Sequence, residues 1–160
     1  AGHCRADVAG PAPLTPPGIA ILEARAGDLD ELAAYDAPRF GGDRRKLLAA
    51  LIARASELGF VARRDGRIVG FALGREGRSA AQIGPVVAEE TEITQALLGE
   101  ALRHIRGPCL IDLIDSQTGQ RAFLEQRGFA PVRSFTRMLR RRSPMPGDSR
   151  IAAIAGPEFG

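Results

Sequence analysis

Gln82-Ile-Gly-Pro-Val-Val-Ala-Glu-Glu-Thr-Glu-Ile-Thr-Gln-Ala-Leu-Leu98 runs from an apolar strand straight into an amphipathic helix. Ile93, Leu97, Ala101 and Ile105 recur every four residues, the spacing of a buried helical stripe. Gly84-Pro85 interrupts the strand. Proline donates nothing to a ladder, so pairing should lapse there and leave backbone groups for a ligand. A strand that leads into a helix also presents free N–H groups and the positive end of the helix dipole, a natural phosphate cradle. The charge opposes that use: Glu89, Glu90 and Glu92 suit a helix start but repel a pyrophosphate.

Upstream of this junction, Asp65-Gly66 lies between Phe60–Arg64 and Arg67–Leu73, a strong hairpin signal, and residues 79–88 follow as the third strand of a meander. Before the hairpin come a short strand, Ile19–Glu23, and two helices. The first is capped by Asp28, reaches about Tyr35 and is ended by Pro38. The second is capped by Asp43 and buries Leu47, Leu48, Leu51, Ile52 and Ala55, with Arg44, Arg45 and Lys46 on the opposite face. Downstream, Gly107-Pro108 stops the central helix, and Cys109–Ile114 is apolar enough for a strand covered on both faces. Asp115-Ser116 starts a last helix that closes at Gly128. Phe129–Val132 and Ser134–Leu139 read as closing strands, and Ile151–Ala155 as one further strand.

A chain of 160 residues with 44% hydrophobic residues fits one ordinary domain, and no apolar run is long enough to cross a bilayer. The expected location is cytoplasmic, with no membrane partner. Cys4 and Cys109 have no metal-ligand spacing, and His3 beside Cys4 lacks the third and fourth ligands that zinc requires, so no metal site is expected. Net charge is +3, yet residues 121–150 hold eight arginines against Glu125 and Asp148. With one tyrosine, no tryptophan and no nucleic-acid motif, this basic flank reads as a solvated segment and not as a nucleic-acid site. Residues 1–18 contain Pro11, Pro13, Pro16 and Pro17 with three glycines and read as a linker; residues 141–160 read as a basic linker and extension. The linker, and a first residue that is not methionine, lead to the expectation that the chain is the later part of a longer protein.

Strand, two helices, antiparallel meander, helix, strand, helix and a final pair is an order that resembles the GNAT superfamily of N-acetyltransferases over residues 19–140. Ile83-Gly-Pro-Val-Val87 is similar to the family's fourth strand, which hydrogen-bonds the pantetheine arm of acetyl-CoA, and Phe123-Leu-Glu-Gln-Arg-Gly-Phe129 to its last helix. Tyr35–Arg44, Phe135–Met138 and Ala155–Gly160 resemble, more narrowly, the C-terminal GNAT-like domain of tandem bacterial acetyltransferases. The resemblance implies an α+β (α/β) fold with a central mixed, mostly antiparallel sheet flanked by helices. It also implies an acetyl-CoA-dependent N-acyltransferase acting on a small-molecule or peptide amine, an acetyltransferase domain preceding this one, and a homodimer as a candidate assembly.

The family's pyrophosphate loop falls on Glu89, Glu92 and Thr94, none of which matches its Gln or Arg, Gly, and Gly or Ala. Leu124 stands where many members carry a proton-donating tyrosine. These departures raise a second expectation, a cofactor-free accessory, docking or dimerisation domain. For the enzyme reading, the cofactor contacts expected are Val86, Val87, Thr91 and Thr94, and the substrate contacts Phe40, Asp43 and Arg44. Tyr35 is a candidate acid, otherwise a packing residue; Asp36 a candidate for holding an ammonium group, otherwise a surface residue. Asp115, at the end of the crossover strand, is a third catalytic candidate, otherwise a helix cap.

Overall fold

The computed structural model describes residues 2–5, 14–134 and 148–156. Among them, eight strands form one sheet: β1 (Gly2–Arg5), β2 (Ala20–Glu23), β3 (Phe60–Arg64), β4 (Arg67–Arg75), β5 (Ala81–Ala88), β6 (Cys109–Asp112), β7 (Ala130–Arg133) and β8 (Ile151–Ala153). Four α-helices accompany them: α1 (Leu29–Phe40), α2 (Arg45–Arg54), α3 (Thr91–Arg103) and α4 (Thr118–Glu125). The strands run in the order β2-β3-β4-β5-β6-β1-β7, with β8 paired to β5 off this path. Among the described residues only β5 and β6 pair in parallel, joined by the α3 crossover, so the sheet is mixed and mostly antiparallel. No helix among the described residues is long and apolar enough to cross a membrane.

The hairpin turns at Asp65 and Gly66, whose φ values of 50° and 78° suit a turn that follows the right-handed twist of its strands. Core side chains lie on both faces of the sheet. Leu32, Leu48, Leu51 and Ile52 of α1 and α2 cover Phe71 and Leu73 on one face. On the other, Ile93, Leu97, Leu98 and Ala101 of α3 and Phe123 and Leu124 of α4 cover Ala72, Ile83 and Val86. Each fully buried aliphatic contributes roughly 1.5–3 kcal/mol, so the α3 stripe anchors the junction it follows. Gly70 allows that approach: a Cβ there would lie 2.8 Å from Ala88 Cβ and 3.1 Å from Leu97 Cδ1.

Several local expectations are corrected. Gly2–Arg5 is not linker: it is a strand between β6 and β7, where Gly2 faces Asp112 and Arg133. Four residues with no alternation carry no strand signal by themselves; pairing to two neighbours supplies it. Pro38 sits inside α1, whose end is set by Gly41 at φ 87° with its N–H on the Ala37 carbonyl. A proline in the last turn sacrifices a single hydrogen bond and need not stop the helix there. Asp28 does not cap α1; its carboxylate accepts from the Arg25 N–H at 2.8 Å and from Arg63 Nη2 at 2.8 Å. α4 begins at Thr118, beyond Asp115-Ser116. The strand expected at Ser134–Leu139 falls, from residue 135 on, outside the described residues.

Candidate functional site

β5 and β6 separate part-way along. Ala81, Gln82 and Ile83 pair with Cys109, Leu110 and Ile111, and at Gly84-Pro85 the pairing lapses, as a proline requires. The backbone beyond does not become free. Val86 and Val87 face Ala153 and Ile151 of β8, and the Ala88 N–H donates to the Arg150 carbonyl at 3.0 Å. On the other arm of the fork, the Ile114 N–H donates to the Ala152 carbonyl and the Ile154 N–H to the Asp112 carbonyl, both at 3.0 Å. Strand β8 therefore fills the fork and is bonded on both edges. The edge at Val86 and Val87, expected to face a ligand, is paired within the chain.

The acidic helix start is also committed. Burial pushes the Glu89 carboxyl up, but hydrogen bonds and charge from Arg39 and Arg150 outweigh it and hold the group below the usual carboxylate range. Arg39 Nη2 pairs with Glu89 Oε1, and Arg150 Nη1 lies 3.2 Å from Glu89 Oε2. Glu90 pairs with Arg64 at 2.9 Å. Thr94 is buried, and its hydroxyl donates to the Glu90 carbonyl at 3.1 Å; Thr91 is exposed. Glu92 is exposed at the solvent side of the helix start.

Tyr35 packs edge-on against Phe71, with ring centroids 6.2 Å apart, and its hydroxyl donates to the Val69 carbonyl at 2.9 Å. Burial pushes its phenol well above the usual tyrosine range. The Arg39 guanidinium stacks on the ring at 3.6 Å and bonds the Tyr35 carbonyl, which fixes it against Glu89. Asp36 is 1% exposed and Arg44 9%. Their contact is bidentate, Nε to Oδ2 at 2.6 Å and Nη2 to Oδ1 at 2.8 Å, and the guanidinium lies 4.0 Å from the Phe40 ring centroid. Arg44, expected on the solvated face of its helix, is thus turned inward to a buried carboxylate. Asp43 accepts the Arg45 N–H at 2.8 Å, in keeping with a helix-start role. Asp115 is 76% exposed and 3.5 Å from Arg121. Leu124, fully buried, is core.

Tyr35 and Glu89 are thus brought together through Arg39, while Asp36, Phe40 and Arg44 form a separate cluster, and Asp115 stands apart from both. Sequence reasoning missed Arg39, Gln117, Asp148 and Arg150. The placement of Arg39 four residues after Tyr35 is a readable helical neighbour relation. The other three reach the site through tertiary contacts alone. Across the sheet, Arg75 donates to the Gln82 side-chain oxygen at 2.6 Å, and Gln82 Nε2 donates to the buried Asp112 carboxylate at 2.8 Å. Among the described residues, no group of three or more His, Cys, Asp or Glu side chains is placed to hold a metal. Two grooves, of about 370 and 540 Å³, flank β2, and none of the expected site residues lines either.

Residues 32–151 match the family model described as an acetyltransferase (GNAT) domain. The chain belongs to the GNAT acetyltransferase family. It is 29% identical over 105 residues to the uncharacterized N-acetyltransferase YitH of Bacillus subtilis (strain 168), a match covering 66% of this chain and 37% of that protein. The GCN5-related N-acetyltransferase of Sphaerobacter thermophilus is similar at 26% identity and a TM-score of 0.59, over 81% of this chain and 47% of that one. A Pyrococcus horikoshii protein shares the fold at a TM-score of 0.65 and 16% identity, covering 99% of this chain and 52% of its own. The chain therefore spans about half, or less, of the length of these relatives. The GNAT cofactor does not fit this fork as it stands: the β5 edge is paired to β8, and Glu92 and the buried Thr94 side chain take the places of the small residues that let the loop approach phosphate.

Proposed function

We propose that this chain is the accessory half of an acetyl-CoA-dependent N-acetyltransferase, and that a second GNAT domain of the same bacterial, cytoplasmic protein transfers the acetyl group to an amine. Its part is to dock against that domain and help form the amine side of the site. One observation carries this reading: the side chains that acetyl transfer would require are committed within the fold. The Tyr35 hydroxyl donates its hydrogen bond to the Val69 carbonyl, Asp36 is sealed by Arg44, and Leu124 has no proton to give. Direct attack of an amine on a thioester needs little beyond positioning, but it does need somewhere to deliver the proton.

Family membership over three-quarters of the chain keeps a second reading in view, in which this domain itself performs the transfer. Release of free CoA thiol from acetyl-CoA, measured with a panel of small and peptide amines, separates the two. The chain alone should give no rate above uncatalysed aminolysis, while a longer polypeptide carrying the second domain should turn over. Turnover by the chain alone refutes the accessory reading.

A further inference from the structure

The fork is closed by a strand of the same chain, and that strand is fastened with care. Ile151, Ala152, Ala153 and Ala155 are buried, with Ile151 in the core on one face of the sheet and Ala152 and Ala153 in the core on the other. A turn at Asp148–Arg150 leads into them. The Asp148 N–H donates to the Arg39 carbonyl at 3.1 Å, Gln117 Nε2 donates to the Ser149 and Ile151 carbonyls at 2.7 and 3.2 Å, and Arg150 pairs with both Asp148 and Glu89. The fit at Gly84 is closer still: a Cβ there would lie 1.9 Å from the Ile154 carbonyl oxygen. The glycine that looks like a strand breaker in the sequence is the place where the C-terminal segment crosses β5.

An extended ligand with amide groups, lying along β5, needs the backbone N–H and C=O groups that β8 already uses. We infer that Ile151–Ala153 is an internal occupant of this groove, so that docking of β8 and docking of the pantetheine arm of acetyl-CoA at β5 exclude one another. The strand is the first barrier: Glu89 at the helix start is already paired with Arg39 and Arg150, and clearing the loop at Glu92 would still leave β8 on the β5 edge. The inference rests on the family reading above, but not on which domain performs the transfer.

The test uses the whole chain with CoA as the probe, combining calorimetric titration with amide hydrogen exchange of peptides covering 86–88 and 151–155. The wild type should show no CoA binding at 1 mM and strong protection of both segments. Gly84→Ala, which forces the Ile154 carbonyl away, and Arg150→Ala, which removes a half-exposed fastening, should each lower protection at 151–153. Each should raise CoA affinity by the same factor, because two mutually exclusive occupants are linked reciprocally. Glu92→Gly, which makes the loop more cofactor-like and leaves β8 in place, should gain no binding. If Gly84→Ala fails to fold by circular dichroism, Arg150→Ala carries the comparison.

Four results overturn the inference: CoA binding to the wild type with 151–153 still protected; lost protection with no gain in affinity; unchanged protection in every folded variant; or binding conferred by Glu92→Gly alone. Catalytic turnover by the chain bears on the proposed function instead, so the two fail by different measurements.

Discussion

Replacement of Arg44 by methionine tests whether the Asp36–Arg44 pair is a sealed part of the fold or an open substrate contact. In the structure the Asp36 carboxylate is 1% exposed, and two charge-assisted bonds of 2.6 and 2.8 Å come from a guanidinium that also stacks on Phe40. Taking away one partner of a buried pair leaves a charge without compensation, which costs about 3–5 kcal/mol. For a domain of this size 1 kcal/mol corresponds to roughly 2–4 °C, so Arg44→Met should lower the melting temperature by about 10 °C. Asp36→Leu with Arg44→Met removes both charges and puts apolar groups in the same space; such replacements are often neutral, and the double variant should lie within about 1 kcal/mol of wild type. Urea unfolding of the wild type, the two single variants and the double variant closes the cycle, with a coupling energy of at least about 2 kcal/mol expected. A cost under about 1 kcal/mol for Arg44→Met would refute the reasoning and return Asp36 and Arg44 to the surface, where they would be free to meet a substrate.

Glu89→Gln should cost about 1 kcal/mol at pH 7, a modest value because the ion pairs with Arg39 and Arg150 are partly solvent-screened. The folded-state pKa of Glu89 is depressed, so its contribution is present above the unfolded value near 4.3 and is lost as pH falls through the folded value. Urea curves of variant and wild type should therefore converge below about pH 4; a difference that persists at pH 3 contradicts this. Tyr35→Phe removes the bond to the Val69 carbonyl and should cost about 1 kcal/mol. In the longer polypeptide it should leave the rate of acetyl transfer unchanged, whereas a hundredfold loss would make the phenol a working acid. Gly66→Ala, at φ 78°, should destabilise by about 1 kcal/mol through backbone strain alone, readable as a lower urea midpoint with an unchanged m-value.

The readable parts of this fold are those whose cause is local. The α3 stripe of Ile93, Leu97 and Ala101, the Asp65-Gly66 turn and the Gly128 helix ending are each written in fewer than fifteen consecutive residues, and all are present. The candidate site was harder to read because its decisive contacts join distant segments. Arg150 meets Glu89 across sixty-one positions and Gln117 meets Ile151 across thirty-four. A run of eight arginines in thirty residues looks like solvated charge until the fold brings one of them to a buried strand edge. Arg44 misled for a related reason: helical periodicity places it opposite the apolar face, but its long side chain reaches back to α1.

Apolar spacing and turn chemistry set out the order of elements and singled out residues 82–98, because those signals act within one element; the resemblance of that order to the GNAT superfamily implied the α+β fold. Comparison with the family's loop pattern exposed the mismatch at Glu89, Glu92 and Thr94. What occupies the fork lay beyond these signals. Val86 and Val87 offer the same backbone groups to a pantetheine arm as to a strand, and the choice between them depends on where Ile151–Ala153 comes to rest. Strand pairing is satisfied by any correctly spaced row of N–H and C=O groups, so the identity of the partner is a property of the tertiary structure and not of either segment alone.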